Sequence, residues 1–200
     1  MPMSELASVY DRDFFREWGR NNAAYVASAK LITEVLLRHL SARRIVDVGC
    51  GCGVYGHFFR ERGVAVVSID GVRPPPEESF PGEIEIRDLT VPFDNVWGAF
   101  DLALCFEVAE HIPERLCEPF LENLARFSDT LLLSAAPPNQ GGRHHVNEQP
   151  KRYWVEKLAR HGLAYNRKRT GVLLEVFKRE KPPHMWMCQQ VCLYERVRPS

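Results

Sequence analysis

The run Ile45-Val46-Asp47-Val48-Gly49-Cys50-Gly51-Cys52-Gly53-Val54-Tyr55-Gly56 constrains this chain more than any other stretch. Its apolar lead-in reads as a short buried strand with an acid near its end. Glycines then occupy alternate positions, and a fourth follows three residues on. Glycine has no Cβ and accepts positive φ, so such a turn lets backbone pass close beneath a ligand. The helix expected to start near Val54 would aim its free amides and the positive end of its dipole at the same place.

The rest of the chain alternates strand and helix patterns. Residues 14–40 carry small and apolar side chains at helical spacing, Ala23, Val26, Ala27, Leu31 and Val35 among them, and read as mainly helical. Residues 45–48 are a strand, 55–62 a helix stopped at Gly63, and 64–69 a second apolar strand finishing on Asp70. The prolines within 73–81 can continue neither a helix nor a central strand and mark a surface loop. Residues 83–87 alternate as a half-exposed strand ending at Asp88, and 100–106 form a buried strand after which Glu107 opens a helix. Residues 116–127 are helical, and 130–135 are a fifth strand halted by Pro137-Pro138. A loop over 139–150 leads to a helix at 152–161. Residues 163–169 and 189–196 read as two last strands separated by an irregular insert around Lys181-Pro182-Pro183. The alternation implies an α/β, doubly wound sheet whose ligands lie beyond the strand C-termini.

Composition narrows the function. The 200 residues, 45% of them hydrophobic, suit one domain over residues 1–200, with 1–40 as a helical cap or lid. Lys and Arg (26) balance Asp and Glu (26), so the formal charge is zero and tight sequence-independent binding to nucleic acid is not expected. The start lacks a basic segment followed by an apolar core, and no window approaches about eighteen apolar residues. Neither a secretory signal nor a membrane span is expected, and the expected location is cytoplasmic. Cys50, Cys52, Cys105, Cys117, Cys188 and Cys192 form no paired Cys-x-x-Cys set of the structural-zinc kind and read as reduced thiols.

Two nucleotide-cofactor families use a turn of this kind. Gly51-x-Gly53-x-x-Gly56 fits the dinucleotide fingerprint, with Asp70 as ribose acid. Asp47-x-Gly49-x-Gly51-x-Gly53 resembles motif I of class I S-adenosylmethionine (SAM)-dependent methyltransferases. The later segments favour the second family, because the dinucleotide reading gives no role to Asp88 or to the stretch from Glu107 to His111. The resemblance, covering residues 25–196, implies a Rossmann-like, mostly parallel seven-stranded sheet of five parallel strands plus a terminal pair, and SAM as cofactor. It assigns Asp47, Gly49, Gly51 and Gly53 to the methionine portion of SAM. It assigns Asp70 to both ribose hydroxyls, a vicinal diol to which a carboxylate offers two acceptors. Asp88 would contact the adenine amino group, Leu89 would flank the base, and Cys105 joins the cofactor set.

Glu107, Glu110 and His111 stand at i, i+3 and i+4, a spacing that shares one helix face. His144 and His145 follow in the loop after the fifth strand, at the same sheet edge. Two carboxylates and two imidazoles suit a divalent ion. The set is similar to that of small-RNA 3′-terminal 2′-O-methyltransferases, in which a metal binds the terminal hydroxyls. Ubiquinone-pathway O-methyltransferases have a similar acidic-histidine segment. That segment also occurs widely without a metal, and the reading taken here is metal-free. His111 and His145 then face the acceptor, His111 as base or orienting group because imidazole titrates near neutrality, with Glu107 and Glu110 as hydrogen-bond acceptors.

The loop over 137–150 is dense in hydrogen-bonding groups, and Gly141-Gly142 gives it freedom to act as a lid. Asn147 and Gln149 are candidates for capping the next helix, and Tyr153 and Trp154 for packing it. Tyr10, Phe14, Phe15, Trp18 and Tyr25 either cover the acceptor or pack on the sheet. The leading expectation is SAM-dependent methyl transfer to a hydroxyl or amine of a small molecule, a sugar or other metabolite. The alternatives are a metal-assisted methyltransferase of RNA 3′ ends and a non-catalytic SAM-binding partner protein.

Overall fold

The computed structural model describes residues 9–197. Five strands, β1 (Arg44–Val48), β2 (Ala65–Asp70), β3 (Ile84–Ile86), β4 (Leu102–Phe106) and β5 (Thr130–Ser134), run parallel. β6 (Leu163–Tyr165) and β7 (Cys192–Arg196) close the sheet, with β7 antiparallel to both β5 and β6. The order across the sheet is β3-β2-β1-β4-β5-β7-β6. The order in which strands are added therefore reverses between β1 and β4, and a doubly wound sheet opens a ligand crevice at the strand C-termini there.

The central strands read as nearly continuous apolar runs because both faces are covered. Val46, Ala103, Cys105, Leu131 and Leu133 point to one side, against Phe120, Leu121 and Leu124 of α4 (Cys117–Phe127) and Trp154 and Leu158 of α5 (Lys151–Arg160). Ile45, Leu102, Leu104, Leu132 and Leu193 point to the other. There they meet Ile32 and Leu36 of α2 (Ala23–His39), Phe58 and Phe59 of α3 (Val54–Glu61) and Phe177 of α6 (Arg167–Glu180). Each fully buried Leu or Phe contributes about 1.5–3 kcal/mol relative to exposure, and this two-sided core holds the strand ends in register.

Three expectations are corrected. The helical pattern over 14–40 is two helices, α1 (Arg12–Glu17) and α2. Asn22 caps α2 by accepting from the Tyr25 amide at 3.0 Å, and a Cβ on Gly19 would lie 2.4 Å from Glu78 Oε2, so the chain turns tightly against that side chain. Glu107 does not open a helix: it sits at φ 56°, and only a short turn, Ala109–His111, follows. The strand expected over 163–169 ends at Tyr165. Asn166 accepts from the Arg169 amide at 2.9 Å and starts α6, so much of the supposed irregular insert is helix, followed by the short α7 (Trp186–Gln189). All six cysteines are buried and free, and among the described residues no helix is long and apolar enough to cross a membrane.

Candidate active site

The turn after β1 places backbone where the sheet opens. Gly49 has φ 74°, and a Cβ added there would lie 2.3 Å from Val108 Cγ2, so the position excludes side chains on two grounds. At Gly56 a Cβ would meet Ser68 Oγ at 2.7 Å, so α3 packs directly onto β2. The Asp70 carboxylate, at the end of β2, accepts from the Gly51 amide at 2.8 Å and from the Val72 amide at 2.9 Å. Burial raises its affinity for a proton, and these amides oppose the shift.

Asp47 is buried with Oδ2 unpartnered, and desolvation, helped by Asp70, pushes its pKa up to about 7. Asp88 turns its Oδ1 onto the Thr90 amide and hydroxyl at 2.9 and 2.6 Å, and Leu89 is buried beside it. Asp47, Gly49, Gly51, Asp70, Asp88 and Leu89 all line one cavity of about 790 Å³. Two residues of the expected cofactor set do not line it: Gly53 is the left-handed N-cap of α3, and Cys105 is buried within the sheet core.

The same cavity reaches the acidic-histidine segment. Glu107 is pinned by its amide, which donates to Ser134 O at 3.1 Å and Oγ at 3.2 Å. Glu110 is completely buried with both carboxylate oxygens unpartnered. Burial drives both acids toward the protonated form, and Glu107 adds to the effect on Glu110. His111 Nδ1 lies 3.2 Å from His144 O. A carbonyl only accepts, so Nδ1 carries the hydrogen and Nε2 the lone pair. Desolvation lowers the His111 pKa to about 4. The His145 ring stands edge-on to that of His111, centroids 4.9 Å apart. One ligand atom from each of Glu110, His111 and His145 lies within 4.8 Å of the others, a spacing that can hold a metal ion; Glu107 and His144 are outside that group.

The loop after β5 is tied to this segment by the Val146 and Asn147 amides, which donate to Glu110 O at 3.0 and 2.9 Å. Asn147 does not cap α5. Its Nδ2 donates to Ile112 O at 3.0 Å, Gln149 donates to its Oδ1 at 2.9 Å, and α5 begins after Pro150 without a side-chain cap. Above the histidines sit Tyr10, 5.7 Å from His111 and 6.0 Å from His144, and Phe14 of α1, 6.3 Å from His111. Phe15, Trp18 and Tyr25 also line the cavity, so the N-terminal aromatics both cover the site and pack. Asp11, the N-cap of α1, pairs with Arg143 at 2.9 Å and joins this cover to the loop. Sequence reasoning missed Glu148, which holds His145, and Trp186, Met187 and Gln189, which complete the wall. The dense polar pattern of the loop was a signal for the first; nothing local marked the other three.

The fold and the ligand crevice define a class I methyltransferase architecture. A family described as a methyltransferase domain matches residues 10–175, and the chain belongs to it. The ubiquinone biosynthesis O-methyltransferase of Acinetobacter baylyi is 30% identical over 84 residues, which are 38% of this chain and 35% of that enzyme, so the match spans about a third of the relative's length. Among solved structures, the 1,6-didemethyltoxoflavin-N1-methyltransferase of Burkholderia thailandensis superposes with a TM-score of 0.61 at 18% identity, covering 99% of this chain and 92% of that one. A sugar N-methyltransferase from Streptoalloteichus superposes with a TM-score of 0.63 at 13% identity, covering 93% and 92%.

Proposed function

We propose that this chain transfers the methyl group of SAM to a hydroxyl or amine of a small molecule. One observation carries the reading: a single cavity joins the carboxylates of Asp47, Asp70 and Asp88 to the imidazoles of His111 and His145. Among the described residues lining it, Arg143 is the lone Lys or Arg, and it is engaged by Asp11. A cavity so poor in cations suits a small acceptor better than a phosphate backbone. The matched O-methyltransferase and the structurally similar N-methyltransferases act on small molecules by their names, which agrees with this class of acceptor.

The residues present fit SAM. Each Asp70 oxygen takes one backbone amide and keeps a lone pair for a ribose hydroxyl. The unpartnered Asp47 Oδ2 calls for a buried donor, which an ammonium group provides. When bound, SAM supplies an activated methyl on a cationic sulfur, so the protein's work is alignment, exclusion of water and removal of one proton. Tyr10 and Phe14 exclude water above the histidines. The Nε2 atoms of His111 and His145 are free to take the acceptor's proton as its oxygen or nitrogen attacks. Calorimetry with SAM and its demethylated product, then a methyl-transfer screen of hydroxylated and aminated metabolites, tests the reading. No binding of either compound, or tight binding of NAD instead, overturns it.

A second reading, metal-assisted transfer to an RNA 3′ end, is favoured by one observation, the convergence of Glu110, His111 and His145 within 4.8 Å. A cation there would lower the pKa of a bound hydroxyl and make a separate base unnecessary.

A further inference from the structure

We propose that Glu148 is a positioning residue: it fixes His145 as the tautomer whose Nε2 carries a lone pair turned to the acceptor side of the cavity. The carboxylate gathers three donors from one loop. Oε2 accepts from the Asn139 amide at 2.9 Å. Oε1 accepts from the Gly141 amide at 2.7 Å and from His145 Nδ1 at 2.8 Å. A carboxylate held by two backbone amides accepts from the ring beside it, so Nδ1 carries a hydrogen and the neutral ring leaves Nε2 bare.

The surrounding backbone leaves the ring little choice. Asn139 (φ 68°), Gly141 (φ 71°) and His144 (φ 63°) are all left-handed, and the two amides clipped by Glu148 hold two of these three in place. His145 and Glu148 side chains are 12% and 18% exposed, so water competes weakly for the bond. A Cβ on Gly142 would lie 2.3 Å from His145 Nε2, so the ring lies flat against this glycine and its reactive nitrogen needs that gap. One carboxylate thus folds the loop and aims the imidazole. A carboxylate behind an imidazole also stabilises the imidazolium that forms when Nε2 accepts a proton.

The direct test is histidine nitrogen NMR of the isotope-labelled protein saturated with the demethylated cofactor product, which reports the tautomer of each ring without any turnover. His145 is expected in the Nδ1–H form in the native protein and in E148Q, whose amide oxygen still accepts. E148A is expected to lose that form. In steady-state methyl transfer, E148A should fall roughly tenfold or more in kcat with cofactor affinity unchanged, and E148Q should recover most of it. This kinetic arm rests on the methyl-transfer reading; the tautomer arm does not. A native His145 in the Nε2–H form overturns the proposal. So does an E148A tautomer identical to the native one, or loss of cofactor affinity and melting temperature with no tautomer change, which would leave Glu148 a loop staple.

Discussion

The Gly51 amide donates to Asp70 Oδ2 at 2.8 Å, so the glycine turn and the acid at the end of β2 form one hydrogen-bonded unit. Binding at the turn and binding at the acid are therefore coupled. Removing the carboxylate strips two ligand acceptors and also frees the Gly51 and Val72 amides. Asp70→Ala is expected to weaken SAM binding by about 1.5–3 kcal/mol, from the loss of charge-assisted hydrogen bonds. Isothermal calorimetry checks this, and an affinity equal to native would remove Asp70 from the site.

The turn itself is testable through its steric neighbour. Gly49→Ala forces a left-handed alanine, at about 1–3 kcal/mol of strain, and drives its Cβ to within 2.3 Å of Val108 Cγ2. Gly51 has a positive φ too, but a Cβ there meets nothing within 4 Å, so Gly51→Ala should be the milder change. Thermal melting should rank the two variants in that order. Adding Val108→Ala should restore part of the loss at position 49 and nothing at position 51.

Much of this architecture was legible in the chain. The continuous apolar runs of β1, β4 and β5 and the glycine turn signal strands buried on both faces with a crevice at their ends, and the structure has both. The carboxylates ending or following strands, Asp70 and Asp88, line the cavity. What escaped depended on contacts far apart in sequence. The helical period of Thr170, Leu173, Val176 and Phe177 was present in α6 but masked by Gly171 and β-branched neighbours; its start is set by the Asn166 cap, and the packing of Phe177 on the sheet does the rest. The spacing of Glu107, Glu110 and His111 suggested one helix face, whereas left-handed Glu107 breaks the segment and leaves convergence to Glu110, His111 and His145. Glu148 could not be found from spacing alone, because its role depends on the loop closing on itself.

Asp47 gives a pH signature to the cofactor-free protein. Its folded pKa of about 7 lies above the model-compound value of 3.8, so between these values the folded state binds the extra proton. Its contribution to stability is present at low pH and is lost as pH rises through about 7. His111 works in the opposite sense: its folded value of about 4 lies below 6.5, so its contribution is lost as pH falls through that window. Asp47→Asn should flatten the fall in melting temperature between roughly pH 4 and 7. An unchanged slope in this variant would show that Asp47 ionises normally.

His111 carries the clearest catalytic expectation. Desolvation keeps its ring neutral at physiological pH, and the hydrogen bond to His144 O turns Nε2 inward as an acceptor. His111→Ala should lower turnover about 100-fold if the ring accepts the substrate's proton, with SAM affinity nearly preserved. Steady-state kinetics paired with calorimetry separates the two quantities. A twofold change in turnover would leave His111 as a packing partner of Tyr10 and Phe14.

The metal question decides between the two enzymatic readings. Glu110, His111 and His145 converge closely enough for a cation, yet burial and Glu107 push the Glu110 carboxyl toward its protonated form, in which it needs no cation for neutrality. In the metal-free case the acids act through hydrogen bonds and an imidazole takes the proton, so activity should survive dialysis against a chelator. Chelated protein assayed with and without magnesium, manganese or cobalt provides the measurement, and retained binding of SAM shows that the fold has survived. Activity that vanishes on chelation and returns with the metal would reverse the assignment. The cation would then hold the acceptor's hydroxyls, lower the pKa of the attacking oxygen and make transfer to an RNA 3′ end the better reading.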